Sequence, residues 1–332
     1  MKPVALFFLE PSIRELVYGA EERARLEAQL TFIAPVQTAA TQASLGARRA
    51  EVEVIVTSWG MPRLDEEFLR AYPRLQAVFY GAGSVRSFVT PASWARGVRV
   101  ISATSANAVP AAEFAFAQII LCLKQAWQQA AATRQQRRFA RAVDLMAGTY
   151  GSTVGLLALG RIGRLVAARL KTLSVTVLAY DPLVTPDEAK GLNVRLCSLE
   201  EVFAQSDVVS CHLPLLPETT GLVRAPHFRA MKRGASFINT ARGEVVAEEE
   251  MIAALQARPD LFAVLDVTHP EPPEAASLLY TLPNVVLTPH IAGCAGRECA
   301  RLGAAIVGDV ERWRRGEVMA NEVTESTAAI LA

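Results

Sequence analysis

The sequence predicts an α/β protein with two Rossmann-like or flavodoxin-like, doubly wound domains and a cleft between them. Short apolar runs rich in β-branched residues alternate with longer amphipathic stretches along the whole chain, as in parallel sheets covered by helices. A length of 332 residues exceeds one ordinary compact core. In the middle of the chain, the glycine turn ALGRIG joins an apolar run to a helical pattern.

The first hundred residues contain a series of candidate strands separated by amphipathic stretches. We expect the chain to return to this region near its end, through a helical pattern over residues 296–315. The sequence therefore predicts one discontinuous domain, residues 1–105 plus 293–332. Its strands are predicted over residues 4–9, 31–34, 52–57, 75–80 and 98–102.

A long helical pattern over residues 109–139, opened by Pro110 and uninterrupted by glycine, predicts one helix that bridges the two domains. A second series of apolar runs follows it and predicts another doubly wound sheet, in a domain of residues 106–292. The predicted strands of this domain are 153–159, 176–180, 208–213, 236–239, 262–267 and 285–288.

Composition and charge narrow the class of protein. The chain is 51% hydrophobic and 20% charged, with a formal net charge of +1, which is typical of a globular protein. This balance gives no reason to expect a nucleic-acid or membrane partner. The N-terminal MKPVALFFLE lacks both the length of a membrane span and a signal-peptide cleavage site, so we expect a cytoplasmic protein.

The glycine turn is a candidate dinucleotide site. Gly160 and Gly163 occupy the last two positions of a G-x-G-x-x-G pattern, in which glycines let the backbone approach a pyrophosphate at a helix N-terminus. The first position holds Ala158, which is harmless if its φ is negative and displaces the turn if it is not. Such a motif alone is a weak signal, because strand-to-helix glycine turns are common.

Asp181 lies eighteen residues beyond Gly163, after the next predicted strand. A carboxylate at this distance accepts hydrogen bonds from adenosine ribose hydroxyls and repels a 2′-phosphate. No Arg or Lys occurs in the eight residues that follow, so the pattern favours NAD over NADP as cofactor. The structural alternative for Asp181 is a turn residue before Pro182.

Three polar residues follow predicted strands at the edge where an α/β sheet binds ligands. Arg242, Glu271 and His290 supply a cation, a carboxylate and an imidazole, the groups needed to hold a keto acid and protonate its carbonyl. A neighbouring carboxylate favours the protonated imidazole. Taken singly, each residue has an ordinary structural explanation, and only their combination indicates catalysis. No pair of histidines has metal-ligand spacing, so we expect no metal.

With these pieces together, the sequence resembles the D-isomer-specific 2-hydroxyacid dehydrogenases, which include glycerate, glyoxylate/hydroxypyruvate and phosphoglycerate dehydrogenases. The resemblance covers nearly the whole chain and rests on FYGAGSV, SANAVPAAEF, VGLLALGRIG, AYDP, HLPLLPETTGLV, FINTARGEVV, LDVTHPEPP and NVVLTPHIAG. It implies hydride transfer between NAD(H) and a small D-2-hydroxy acid or 2-keto acid. It also implies that 106–292 is the NAD-binding domain, that 1–105 plus 293–332 binds substrate, and that the protein is a homodimer joined through the NAD-binding domains, with the helix near 110–139 as a candidate interface.

The resemblance also implies roles for individual residues. Arg242 would bind the substrate, His290 would act as acid and base, and Glu271 would orient and charge the imidazole. The substrate carboxylate would meet the backbone N–H groups of Gly81, Ala82 and Gly83. The implied cofactor contacts, besides the glycine turn, are Arg161, Ile162, Asp181, Pro214, Thr219, Thr240 and Asp266.

Two other functions fit the same scaffold. One is an NAD-sensing binding protein like the C-terminal-binding-protein co-repressors, which can keep an intact set of these residues; turnover of any 2-keto acid would distinguish the two. The other is formate dehydrogenase. The resemblance to that enzyme would place a glutamine where this chain has Glu271, and the chain looks short for it. Fold alone does not decide between them.

Overall fold

The computed structural model describes residues 1–139 and 143–328. Residues 140–142 and 329–332, which belong to the predicted ranges 106–292 and 293–332, lie outside the described residues. The chain divides into two compact units. The first unit comprises Met1–Asn107 and Cys294–Ala332, and the second comprises Ala108–Gly293.

A parallel sheet forms the centre of the first unit. Its strands run in the order β2-β1-β3-β4-β5, the arrangement of flavodoxin-like folds. The interior strands are buried along almost their whole length, because helices cover both faces of the sheet. The strands are β1 (Val4–Phe8), β2 (Thr31–Phe32), β3 (Val54–Thr57), β4 (Ala77–Tyr80) and β5 (Arg99–Ser102). The helices are α1 (Pro11–Val17), α2 (Ala20–Gln29), α3 (Glu66–Ala71) and α4 (Pro91–Ala95), with a 3-10 segment at Gln42–Glu51.

The predicted single helix over 109–139 is wrong. The structure has two helices, α5 (Thr104–Leu123) and α6 (Ala126–Gln136). Between them Gln125 adopts a left-handed conformation with φ of 49°, and its side-chain Nε2 donates to Leu145 O at 2.8 Å. A left-handed residue ends a right-handed helix, and here the distant carbonyl stabilises the break. No glycine marks the position, so the break has no local signal in the sequence.

Helix α5 is long and strongly apolar. Among the described residues it is the one helix whose length and composition would suffice to cross a membrane, with 20 residues and a hydropathy of 1.5 over its best window. Half of that window is buried inside the protein. Core helices of folded domains meet the same criterion, so α5 is weak support for a membrane span.

The second unit contains a seven-stranded parallel sheet in the order β8-β7-β6-β9-β10-β11-β12. This is the Rossmann order, extended by one strand, with the direction of winding reversed between β6 and β9. The strands are β6 (Tyr150–Leu157), β7 (Ser174–Tyr180), β8 (Arg195–Leu196), β9 (Val208–Cys211), β10 (Ser236–Asn239), β11 (Phe262–Leu265) and β12 (Val285–Leu287). The helices are α7 (Arg161–Leu170), α8 (Pro186–Gly191), α9 (Leu199–Gln205), α10 (Ala225–Ala230) and α11 (Glu248–Ala257).

The chain returns to the first unit through α12 (Ala300–Arg314), β13 (Glu322–Val323) and α13 (Glu325–Ala328). Gly303 of α12 lies so close to α1 that a Cβ there would be 1.9 Å from Val17 O. The fully buried carboxylate of Asp309 accepts from Ala320 N and Asn321 Nδ2, both at 2.7 Å. These contacts direct β13 onto β5 as an antiparallel edge strand.

Strands β8 and β13 were not predicted. Each has two residues, which is too short to show an alternating pattern. The overall class was confirmed, since both units are α/β and built on parallel sheets.

Candidate active site

Arg242, Glu271 and His290 follow three neighbouring strands of the second unit. Strands β10, β11 and β12 are adjacent in the sheet, so the loops after them meet at its carboxyl edge. His290 Nδ1 lies 2.7 Å from Glu271 Oε1, with the two side chains 47% and 43% exposed. A carboxylate at this nitrogen favours the tautomer with the proton on Nδ1 and leaves Nε2 as the other ring nitrogen, outside this contact.

The backbone at His290 is unusual. Its φ is 53°, a left-handed conformation that non-glycine residues rarely adopt. Asp266, just after β11, stabilises it: His290 N donates to Asp266 O at 2.9 Å. The Asp266 carboxylate accepts from Ile291 N at 2.9 Å, Ala292 N at 2.8 Å and Thr288 Oγ1 at 2.5 Å. One buried carboxylate thus determines the course of the whole loop that carries the imidazole.

Arg242 is positioned by Asn239, a residue that the sequence analysis missed. Asn239 Oδ1 accepts from Ala241 N at 3.0 Å, and its Nδ2 donates to Arg242 O at 2.9 Å. Arg242 Nη1 donates to Ala241 O at 2.6 Å. The available signal was an asparagine at the end of a strand, where its amide can close a turn.

The Arg242 loop also packs directly on the Glu271 loop. A Cβ on Gly243 would lie 2.0 Å from Thr268 O and 2.6 Å from His269 N. Only glycine allows this approach. The backbone of the loop that carries Arg242 is therefore in direct contact with the backbone of the loop that carries Glu271.

The glycine turn lies after β6, beside the point where the winding of the sheet reverses. Ala158 has a φ of 75°, so it is not in the harmless conformation, yet its N still donates to Tyr180 O at 2.8 Å. A Cβ on Gly163 would lie 2.1 Å from Ala158 O, which explains the glycine there. Gly160 is the N-cap of α7 and has no side chain to satisfy the first N–H groups of the helix. Arg161 and Ile162 form the first positions of that helix.

Asp181 has a structural role in addition to its predicted one. Its Oδ2 accepts from Leu159 N at 2.7 Å, and its Oδ1 accepts from Leu183 N at 2.8 Å and Val184 N at 3.2 Å. The carboxylate therefore ties the end of β7 to the glycine turn. Acceptor capacity remains for ribose hydroxyls, because two carboxylate oxygens offer about four acceptor positions.

Two buried polar atoms at this edge have no protein partner among the described residues. They are Thr240 Oγ1, after β10, and His212 Nδ1, after β9. Such atoms are rare in folded proteins and fit a site that a polar ligand completes. His212 is neutral, because burial lowers the pKa of its imidazole to about 4. Its Nε2 lies 3.1 Å from Ser210 Oγ, and its Cδ2 would be 3.8 Å from a Cβ on Gly163.

Pro214 and Thr219 belong to one turn after β9. Thr219 Oγ1 donates to Pro214 O at 2.6 Å and accepts from Leu216 N at 2.8 Å. The structure therefore places the candidate cofactor residues on the loops after β6, β7, β9, β10 and β11, along one edge of one sheet. No group of three or more His, Cys, Asp or Glu side chains suited to a metal ion occurs within 1–139 and 143–328.

Gly81, Ala82 and Gly83 lie in the first unit, immediately after β4. The N–H of Gly81 belongs to the sheet, since it donates to Thr57 O at 2.8 Å. A Cβ on Gly81 would lie 2.5 Å from the hydroxyl oxygen of the buried Tyr18. The loop is therefore closely packed from behind.

Together, the Rossmann sheet, the glycine turn at its switch point and the orphaned polar atoms beside it define a dinucleotide-binding α/β protein. Residues 116–292 match the family model of the D-isomer specific 2-hydroxyacid dehydrogenase NAD binding domain. The chain belongs to the D-isomer specific 2-hydroxyacid dehydrogenase family, and NAD is the cofactor of its second unit.

Relatives and solved structures agree with this membership. The chain is 33% identical over 261 residues to D-3-phosphoglycerate dehydrogenase of Archaeoglobus fulgidus, covering 79% of this chain and 49% of that one. It thus spans about half the length of the curated relatives it matches. The TT0316 protein of Thermus thermophilus superposes with a TM-score of 0.74 at 29% identity, covering 98% of this chain and all of that one. An NAD-complexed family member from Lactobacillus delbrueckii shares the fold, with a TM-score of 0.80, 21% identity and coverage of 97% and 100%.

Proposed function

We propose that the protein transfers a hydride between NAD(H) and a small D-2-hydroxy acid or 2-keto acid. The observation that carries this proposal is the 2.7 Å contact of His290 Nδ1 with Glu271 Oε1, beside Arg242 on the neighbouring loop. This arrangement supplies a proton donor, a group that orients it and a cation for an α-keto carboxylate. The identities of 33% and 34% to D-3-phosphoglycerate dehydrogenases support the same reaction class.

Each residue has a defined task in the reductive direction. NADH, when bound, supplies the hydride to the carbonyl carbon. His290 Nε2 gives a proton to the carbonyl oxygen as negative charge develops there, and Glu271 holds the Nδ1–H. Arg242 binds the substrate carboxylate and carbonyl, as a planar guanidinium does well. In the oxidative direction His290 takes the hydroxyl proton.

We further propose that the substrate is small and unphosphorylated, like glyoxylate or hydroxypyruvate. Candidates for specificity are the side chains at the ends of β3 and β4 and in the loop after β4: Trp59, Tyr80, Ser84 and Val85. Tyr80 and Val85 are buried at 5% and 1% exposure, whereas Trp59 is 38% exposed just after β3. An exposed indole at the carboxyl edge of the first sheet favours a short or apolar substituent over a phosphate group.

A homodimer through the second unit remains part of the proposal. Helix α6 has no buried residue, and the chain that follows it leaves large apolar side chains in solvent. Phe139 and Tyr150 are each 86% exposed, and Val143 is 58% exposed. Exposed apolar groups of this size mark association surfaces, and light scattering coupled to gel filtration would measure the mass.

The function is tested by oxidation of NADH, followed by absorbance, with purified protein and a panel of 2-keto acids. We expect turnover with at least one short keto acid and slower turnover with NADPH in parallel reactions. Binding of NADH without turnover of any member of the panel would contradict the enzymatic proposal and favour a sensor of the cofactor.

A further inference from the structure

Every carbonyl of the loop after β4 faces a hydroxyl group inside the first unit. The loop comprises residues 81–83, and the hydroxyls come from Ser58 just after β3, Ser102 at the end of β5 and Thr104 at the start of α5. Ser58 and Ser102 are buried, at 0% and 1% exposure, and Thr104 is half-buried. The oxygen-to-oxygen distances are 2.8 Å from Ser58 to Gly81, 3.0 Å from Ser102 to Ala82 and 3.1 Å from Thr104 to Gly83.

The three hydroxyl groups have one proton to donate to each of the three carbonyls of the loop. A hydroxyl has one proton to donate and can accept two bonds. Ser102 Oγ also lies 2.5 Å from Gly83 O and 2.7 Å from Thr104 Oγ1, so these two hydroxyls form one cluster. Each carbonyl can then accept one hydrogen bond from a hydroxyl, and none needs a water molecule.

This arrangement determines where the amide groups point. In a planar trans peptide the N–H of a residue points away from the carbonyl of the preceding one. Carbonyls turned toward the hydroxyls therefore turn the N–H groups of Ala82, Gly83 and Ser84 the other way. Among the hydrogen bonds of the described residues, none uses these three donors. Ala82 is fully buried, and a buried backbone N–H without an acceptor is rare.

We propose that Ser58, Ser102 and Thr104 are positioning residues that hold the N–H groups of Ala82, Gly83 and Ser84 toward the carboxylate of the substrate. The inference rests on the proposed function. The third donor is the N–H of Ser84 and not that of Gly81, since the Gly81 N–H already donates to Thr57 O. A carboxylate offers enough lone pairs for three N–H groups, and successive backbone amides form effective anion sites.

The test compares Ser102→Ala with Ser102→Thr, which keeps the hydroxyl. The matched control is Ser206→Ala, because Ser206 is fully buried in the second unit and its Oγ has no partner among the described residues. The substrates are the best 2-keto acid of the panel and its methyl ester, which lacks the charge. The Ser102 hydroxyl orients the N–H groups that bind the substrate carboxylate. Ser102→Ala should therefore raise KM for the acid roughly tenfold. It should leave kcat, NADH affinity and the KM of the ester nearly unchanged.

Ser102→Thr should restore the KM of the acid, and Ser206→Ala should not change it. An equal loss for acid and ester, or an unchanged KM for the acid, would overturn the inference while the proposed function stands. Binding of oxamate to the NADH complex separates the two proposals further. One result would be that Ser102→Ala binds oxamate roughly tenfold more weakly while no variant turns over a keto acid. That result would support this inference and contradict the proposed function. No binding of oxamate and no turnover by the unaltered protein would overturn both.

Discussion

Asp266 and His290 are joined through their main chains, with His290 N donating to Asp266 O at 2.9 Å while the Asp266 carboxylate accepts from the two residues after the histidine. Asp266 is buried, at 2% exposure, so its carboxylate supplies acceptors in a place that solvent hardly reaches. The contact links the ends of β11 and β12, two neighbouring strands. A residue expected to bind cofactor thus also holds the imidazole at its left-handed φ.

Asp266→Asn should therefore reduce both stability and turnover. The new amide would keep one oxygen as an acceptor and place its NH2 group against either Ile291 N or Ala292 N, leaving one buried donor unpaired at a cost of about 1–3 kcal/mol. Displacing His290 by even 1 Å should lower kcat by roughly 10²-fold. Asp207→Asn is the matched control, because Asp207 accepts from Thr153 N away from the site. Equal losses of kcat in both variants would contradict the positioning role.

His290→Ala should lower kcat by roughly 10² to 10⁴-fold, the usual contribution of a general acid, and should spare NADH binding. Glu271→Gln should cause a smaller loss, because the glutamine oxygen still accepts from Nδ1. His227→Ala is the control: His227 Nδ1 accepts from Arg224 N at the start of α10, a structural role. Steady-state kinetics and NADH fluorescence measure the two effects, and full activity of His290→Ala would remove the imidazole from the mechanism.

Ala158→Gly should stabilise the protein. A non-glycine residue at a φ of 75° costs about 1–2 kcal/mol, and glycine removes that strain at a smaller entropic cost in the unfolded chain. We expect a net gain of about 0.5–1 kcal/mol and unchanged or tighter NADH binding. Gly160→Ala serves as the comparison, because Gly160 has no left-handed φ and a Cβ there meets nothing. A lower midpoint of thermal unfolding for Ala158→Gly would show that the strain is absent.

Asp181→Ala should weaken NADH binding and reduce the preference for NADH over NADPH. The loss combines a removed ribose acceptor with a loosened glycine turn, since Leu159 N loses its partner at 2.7 Å. We expect roughly tenfold weaker NADH binding, measured by fluorescence titration of both cofactors. Asp187→Ala, an exposed aspartate in the first turn of α8, should change neither affinity. An unchanged ratio of the affinities for NADH and NADPH would contradict the proposal that Asp181 binds the ribose hydroxyls.

His212 should make stability depend on pH. Burial lowers the pKa of its imidazole from 6.5 to about 4, so below pH 6.5 the unfolded chain binds a proton that the folded chain does not. The free energy of unfolding should therefore rise with pH from about 4 to about 6.5, by roughly 3 kcal/mol from this group. Urea unfolding across this range should show a flatter profile for His212→Gln. An unchanged slope in His212→Gln would contradict this role of the buried imidazole.

The sequence predicted what depends on short segments. Short apolar runs predicted the strands, because the central strands of both sheets are buried on both faces. Arg242, Glu271 and His290 were singled out because each lies in the loop after such a run. The break at Gln125 and the two-residue strands β8 and β13 escaped prediction. The left-handed Gln125 donates to Leu145 O, 20 residues further along the chain, whereas β8 and β13 are each too short to show an alternating pattern.

By itself, the sequence determined that this is an α/β protein with a dinucleotide turn and a set of polar residues at strand ends, since periodicity and spacing are local properties of the chain. Tertiary structure alone decided the sign of φ at Ala158, the carboxylate of Asp266 beneath His290 and the hydroxyls behind loop 81–83. The Asp266 contact spans 25 residues and exists because β11 and β12 are neighbours. Strand order brings such groups together, and strand order results from packing of the whole sheet rather than from any one segment.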